Sequence, residues 1–117
     1  MTTHQVANRL IELCRTGQIM QAQTELYAEN IVSIEPKGAP VEKAVGFAEV
    51  NEKGKQFAAM IEERHGGSFT EPLVSGNFFS VGMTLDATMK GRGRQVLEEI
   101  CVYKVENGKI VFEQFFF

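Results

Sequence analysis

The apolar positions change period once along the chain, from helical to alternating. Val6, Leu10, Leu13 and Cys14 recur at helical spacing behind Thr2 and Gln5, a pair set apart as in a capping box. Gly17 is placed to stop that helix, and Ile19, Ala22 and Leu26 line one side of a shorter second one. Ile31 to Glu35 is β-branched and runs into Pro36, which predicts a strand leading into a Pro/Gly loop. Phe47, Val50, Gly54, Phe57 and Ile61 form a stripe that predicts a third helix, with Gly66-Gly67 as its stop and His65 capping its end. From Ser68 the period is two. Phe79, Val81, Met83, Leu85 and Ala87 alternate with Ser80, Gly82, Thr84 and Asp86. Lys90 to Arg94 reads as a solvated hairpin turn, Gln95 to Val105 as the next strand, Asn107-Gly108 as a turn and Ile110 to Phe117 as the last strand.

Helices first and a long meander after them predict an α+β fold, one domain over residues 1–117, with three N-terminal helices on one face of an antiparallel sheet. The penultimate strand is apolar on both faces. Leu97, Cys101, Tyr103 and Val105 fill one side, and Val96, Ile100 and Val102 the other. Helices cover only one of these, so the second predicts a homodimer formed sheet to sheet.

Composition narrows the setting. The 117 residues are 44% hydrophobic with nine Phe, ample for a core. The longest apolar run, Phe57 to Ile61, falls far short of the ~20 residues of a membrane span, and the N-terminus lacks the basic and apolar stretches of a signal peptide. Cys14 and Cys101 make no disulfide framework, so a reducing cytoplasm is expected. A net charge of −3 argues against nucleic acid as a partner. His4 and His65 have no metal-ligand spacing with either cysteine, and Gly91 and Gly93 precede a strand where a phosphate loop needs a helix. Neither a metal nor a cofactor is expected.

Short motifs carry a family resemblance over nearly the whole chain. Arg9-Leu10-Ile11-Glu12-Leu13, Gly17, Leu26-Tyr27-Ala28-Glu29-Asn30 and Glu35-Pro36 resemble the first half of ketosteroid isomerases. Glu98-Glu99, Tyr103-Lys104-Val105 and Asn107-Gly108-Lys109-Ile110, with Glu113 and Phe115-Phe116-Phe117, resemble SnoaL-like polyketide-cyclase relatives. Both belong to the nuclear-transport-factor-like superfamily, which implies a strongly curved sheet closing a cone-shaped cavity. That fold hosts isomerases, dehydratases, epoxide hydrolases, cyclases and non-enzymes. In ketosteroid isomerases the general base directly precedes the proline after the first strand, a position held here by Glu35. The position matching the oxyanion-hole tyrosine holds Leu10. The one matching the protonated aspartate, or the acid/base aspartate of SnoaL-type cyclases, holds Cys101.

Alternation adds further groups. With Tyr103 and Val105 facing the helices, Cys101 and Glu99 face them too. A three-residue turn with Gly108 as a bulge would place Glu113 inward, opposite Cys101 and diagonal to Glu99. A two-residue Asn-Gly turn would instead point Glu113 out and Gln114 in. The first is expected, because the relatives place a pocket residue at this point after Gly-Lys-Ile. Three carboxylates, Glu35, Glu99 and Glu113, then share a cavity lined by Leu10, Tyr27, Phe57, Met83, Cys101, Tyr103 and Phe115, and like charges there raise at least one pKa. Each glutamate also has a plainer reading as a solvated or ion-paired group, Cys101 as an inert buried thiol, and Tyr27 as an anchor of the second helix. Two function classes follow. One is a cofactor-free acid/base enzyme on a small apolar molecule, with Glu35 as base and Glu99 or Glu113 as acid. The other is a non-catalytic ligand-binding or protein-interaction module of the same fold.

Overall fold

A computed structural model describes all residues from Met1 to Phe117. Helix α1 (Thr3–Arg15) begins at the capping box: Thr2 Oγ1 accepts from the Gln5 backbone N–H at 3.1 Å, and the Gln5 side chain accepts from the Thr2 backbone N–H at 2.9 Å. Its buried face is Val6, Ala7, Leu10, Ile11, Leu13 and Cys14. Gly17 then turns the chain at φ 75°, a conformation open to glycine at little cost, into α2 (Ile19–Leu26). The Arg9 guanidinium ties the two helices together through Glu25 at 2.6 Å.

The strands are β1 (Tyr27–Ile34), β2 (Lys43–Val45), β3 (Ile61–Phe69), β4 (Leu73–Ser75), β5 (Phe78–Met89), β6 (Gly93–Glu106) and β7 (Lys109–Phe116), with α3 (Phe47–Met60) between β2 and β3. They form one curved, unclosed sheet in the order β2-β1-β7-β6-β5-β3, with β4 beside β5. Every pairing is antiparallel except β1 with β7, which run parallel because α3 and the whole meander separate them in sequence. The helices pack on the inward face, and the main core gathers α1 and α2 residues with Ile31, Phe79, Val81, Cys101, Tyr103, Val105 and Ile110. A second, separate apolar cluster of Leu85, Ala87 and Met89, with Ile61 and Leu97 against it, lies farther along the same face.

Two elements differ from their sequence-based expectation. Helix α3 stops at Met60, and Ile61 begins an edge strand paired with β5, so Gly66-Gly67 is no helix stop and His65 no helix cap. Local propensity through Met60, Glu62 and Arg64 favours helix, and pairing with the long β5 edge overrides it. Of the predicted stripe only Val50 is buried. Phe57 is 41% exposed, outside both apolar clusters. The last hairpin is the second difference. Its turn has two residues, Asn107 at φ 51° and Gly108 at φ 75°, with Glu106 paired to Lys109. Such a turn alone would send Glu113 outward. A bulge at Val111 reverses the parity: Val105 pairs with Ile110 but Lys104 with Phe112, and Glu113 faces inward.

Candidate functional site

Strand register sorts the inward groups into rows. Ser33, Glu113, Tyr103 and Phe79 form one, running from β1 through β7 and β6 to β5. Phe115, Cys101 and Val81 form the next, with Glu35 continuing the parity of β1 one residue past its end. Glu99, Met83 and Phe69 form a third. Glu113 therefore stands opposite Tyr103, not Cys101. Two rows separate it from Glu99, so the two glutamates are not the diagonal neighbours that a Gly108 bulge would have made them.

In the first row Glu113 is closed off from solvent, and both its carboxylate oxygens are hydrogen-bonded. Glu113 is 2% exposed, and its Oε1 accepts a short hydrogen bond from the Tyr27 hydroxyl. Its Oε2 accepts from Ser33 Oγ at 2.6 Å, and Ser33 Oγ in turn accepts from Lys53 Nζ at 2.5 Å. This donor chain is complete with Glu113 ionised. Burial pushes the Glu113 pKa up, and the hydrogen bonds from Ser33 and Tyr27 oppose that rise. Lys53 lies 3.5 Å from Glu35 Oε1, 4.0 Å from Glu113 Oε2 and 5.1 Å from the centre of the Phe115 ring. Glu35 spends one oxygen on Lys53, and its Oε2 is buried without a partner. Desolvation raises the Glu35 pKa, and Lys53 opposes the rise.

Glu99 is different in kind. On β6 it falls between Leu97 of the second apolar cluster and Cys101 of the main core, half-buried and without an ion-pair partner. Desolvation first, and the charge of Glu35 second, push its pKa up to about 7. Its carboxyl group can donate a proton near neutrality, while Glu35, held by Lys53, is placed to accept one.

The remaining expected residues are dispersed. Leu10, Cys101 and Tyr103 are buried in the core, with Tyr103 stacked on Phe79 at 4.8 Å between ring centres. Burial raises the Cys101 thiol to about 12 and Cys14 to about 11, so neither is a ready nucleophile. Met83 and Phe115 are half-buried against the core, and Tyr27 heads β1, not the end of α2. Phe57 does not join this set, because the exposed second half of α3 carries it away from the clusters. Two participants, Ser33 and Lys53, were not expected. Ser33 has the parity of Ile31 and Glu35, and Lys53 lies three residues from Val50 and four from Phe57, so both carried a positional signal. One open recess of about 510 Å³ lies far from these groups, among Met1, Thr2, Asn77 and Gly108. Another, of about 370 Å³, lies between β2 and α3, with Val41, Ala44 and Lys53 on its wall. No cluster of His, Cys, Asp and Glu is arranged to hold a metal ion.

The family model for the SnoaL-like domain matches residues 1–117. The chain belongs to the SnoaL-like domain family. A solved Mesorhizobium loti protein, provisionally assigned as a SnoaL-like polyketide cyclase, is 31% identical, with both chains covered in full and a TM-score of 0.94. This SnoaL-like chain also shares its fold with an NTF2-like protein of unknown function from Burkholderia pseudomallei, at 20% identity and TM-score 0.82 over 100% of this chain and 92% of that one. A Catenulispora acidiphila protein with a ketosteroid-isomerase-like fold, solved with trimethylamine, is 15% identical with a TM-score of 0.76, over 99% and 87% of the two chains. No curated protein matches the sequence. No helix is long and apolar enough to cross a membrane.

Proposed function

We propose that this SnoaL-like protein is a cofactor-independent acid/base enzyme of the isomerase, cyclase, hydratase or epoxide-hydrolase type, acting on a small, largely apolar molecule. The observation that carries this reading is Glu99, an unpaired carboxyl group with a pKa of about 7 at the seam between two apolar clusters, electrostatically linked to Glu35. Glu35 takes a proton from carbon beside a carbonyl group. Glu99 gives its own proton to the carbonyl oxygen, and the resulting enol returns to a ketone when the two transfers reverse at the same or a conjugated carbon. Glu113 takes no part in proton transfer, since both its oxygens are occupied; it positions Ser33 and, through it, Lys53.

Deuterium exchange tests this. A panel of apolar ketones incubated with the protein in D₂O, followed by proton NMR, is expected to include compounds that lose α-proton signal with the native chain and not with Glu35→Gln. Equal exchange by native and variant proteins would remove Glu35 from the mechanism. A second reading, a non-catalytic ligand-binding module, is favoured by the core burial of Leu10 and Cys101, which leaves no oxyanion-hole tyrosine or aspartate at the family positions. That reading expects binding without exchange.

The unpaired outer face supports assembly as a homodimer. Val96, Ile100 and Phe116 are each about half exposed or more, and Ile100 and Phe116 are cross-strand partners. The cysteines are unpaired, in keeping with residence in a reducing cytoplasm.

A further inference from the structure

The inward face carries one cation that the acid/base site does not use. Arg64 on β3 pairs with Ala87 of β5, so its side chain leaves the sheet on the side of the second apolar cluster. The irregularity between Arg64 and Gly66 gives His65 no partner in the ladder, and its Nε2 meets Thr88 Oγ1 on the opposite face at 2.7 Å. Gly67, opposite Leu85, faces inward again, and a Cβ there would stand 2.9 Å from Arg64 Nη2. Arg64 therefore folds back along its own strand over the bare backbone of Gly67, toward the row of Phe69, Met83 and Glu99. Arg9, Arg15 and Arg94 are each paired with a carboxylate; Arg64, exposed on this face, and Arg92, in the turn before β6, are not. The row of Gly67, Leu85 and Leu97 adjoins the row of Glu99. One row along the strands and two strands across put the guanidinium on the order of 12 Å from Glu99, over apolar side chains.

We propose that Arg64 binds the carboxylate of an organic acid whose reacting carbonyl lies at Glu99 and Glu35. This rests on the acid/base reading of those two glutamates and names the substrate class: an apolar keto acid with a spacer of about three methylenes between carboxylate and carbonyl, since the contacts to Arg64 and Glu99 each take up about 4 Å of the span. A planar, permanently charged guanidinium with free N–H groups suits a carboxylate, which it can bind with two parallel hydrogen bonds. Glu35, the base at the other end, disfavours a second anion beside it, so the ligand has one favoured direction along this face.

The probes are 5-oxohexanoate and its methyl ester, titrated calorimetrically into the native protein, Arg64→Gln and Glu99→Gln, with deuterium exchange at the carbons beside the ketone followed in parallel. The acid is expected to bind the native chain at least about tenfold more tightly than the ester. Arg64→Gln is expected to bring the acid down to the ester's affinity, leaving the ester and the melting temperature unchanged, and Glu99→Gln is expected to keep the preference for the acid. Equal binding of acid and ester, no binding of either at millimolar concentration, or a preference that survives Arg64→Gln overturns the assignment. Exchange reports separately: a preference that depends on Arg64 without exchange defeats the acid/base reading and leaves the carboxylate site standing. Exchange without preference does the reverse.

Discussion

Glu113 and Glu99 are the same residue type on the same face of the sheet, two rows apart, and their surroundings give them opposite duties. Glu113 is buried, with a hydroxyl donor on each oxygen and an ammonium behind one of them. Glu99 is half-buried beside leucine, methionine and a thiol, with no ion-pair or hydrogen-bond partner of its own and only the more distant charge of Lys53 to offset its desolvation. Both have raised pKa values, so the shift alone does not distinguish a structural carboxylate from an available one. The hydrogen-bond inventory does. A carboxylate whose lone pairs are committed holds the fold together, and one that remains uncommitted is free to meet a ligand.

The largest effect that separates them is expected from Glu113→Ala. The substitution leaves the Tyr27 and Ser33 hydroxyls without their acceptor and removes one of the two anions facing Lys53. Breaking a buried charged network from one side costs about 3–5 kcal/mol, a large share of the stability of a domain this size. Urea denaturation at pH 7 measures it. A loss below about 1 kcal/mol would mean that the network adds little, and the contrast with Glu99 would fail.

Glu99→Gln is expected to act the other way, and the sign follows from proton binding. The folded pKa, about 7, is raised from an ordinary value of 4.5, so between those pH values the native state holds more protons than the unfolded chain. Stability from this group is full below about pH 4.5 and declines as pH rises through about 7. Because Glu99 is partly exposed, solvent screening reduces the loss to on the order of 1 kcal/mol. Gln removes the titration. The variant should match the native protein at pH 4.5, exceed it by about that amount at pH 8, and lack exchange activity. Paired denaturation curves at the two pH values check this. A difference of equal size at both would show that Glu99 does not titrate in the window.

Much of the inward face was legible from alternation. Alternation groups Glu99, Cys101 and Tyr103 on one face, but Ile100 and Val102 make the other face apolar as well, so it was the facing taken for Tyr103 and Val105 that pointed the group to the helices. Glu113 was placed on the correct face through the wrong turn. Ile110, Val111 and Phe112 are consecutive apolar residues, so a period-two pattern carries no signal for the bulged one. The end of α3 was hidden by good helix formers that a distant strand recruits into pairing, and glycines there permit a close approach instead of a stop. Lys53 and Ser33 were missed for another reason. A lysine on a helix and a serine on a strand are ordinarily solvated, and only the parallel pairing of β1 with β7 sets Ser33 beside Glu113.

The smallest expected change in stability comes from Ile100, the neighbour of Glu99 on β6 and its opposite in direction. Ile100 is 56% exposed beside Phe116 on the outer face, so Ile100→Lys removes little buried surface within one chain and should alter its stability by less than about 0.5 kcal/mol. Assembly should respond strongly, because a lysine at the centre of a face that pairs with its own copy brings like charges together and leaves them desolvated. Sedimentation velocity at micromolar concentration is expected to show a dimer for the native chain and a monomer for the variant. The titration of Glu99 near pH 7 should persist in that monomer, since burial and Glu35 set it from the inward side alone. A native monomer would remove the dimer. A Glu99 titration that shifts with assembly would show that the two faces of β6 are coupled, and that the availability of Glu99 depends on more than its own face of the sheet.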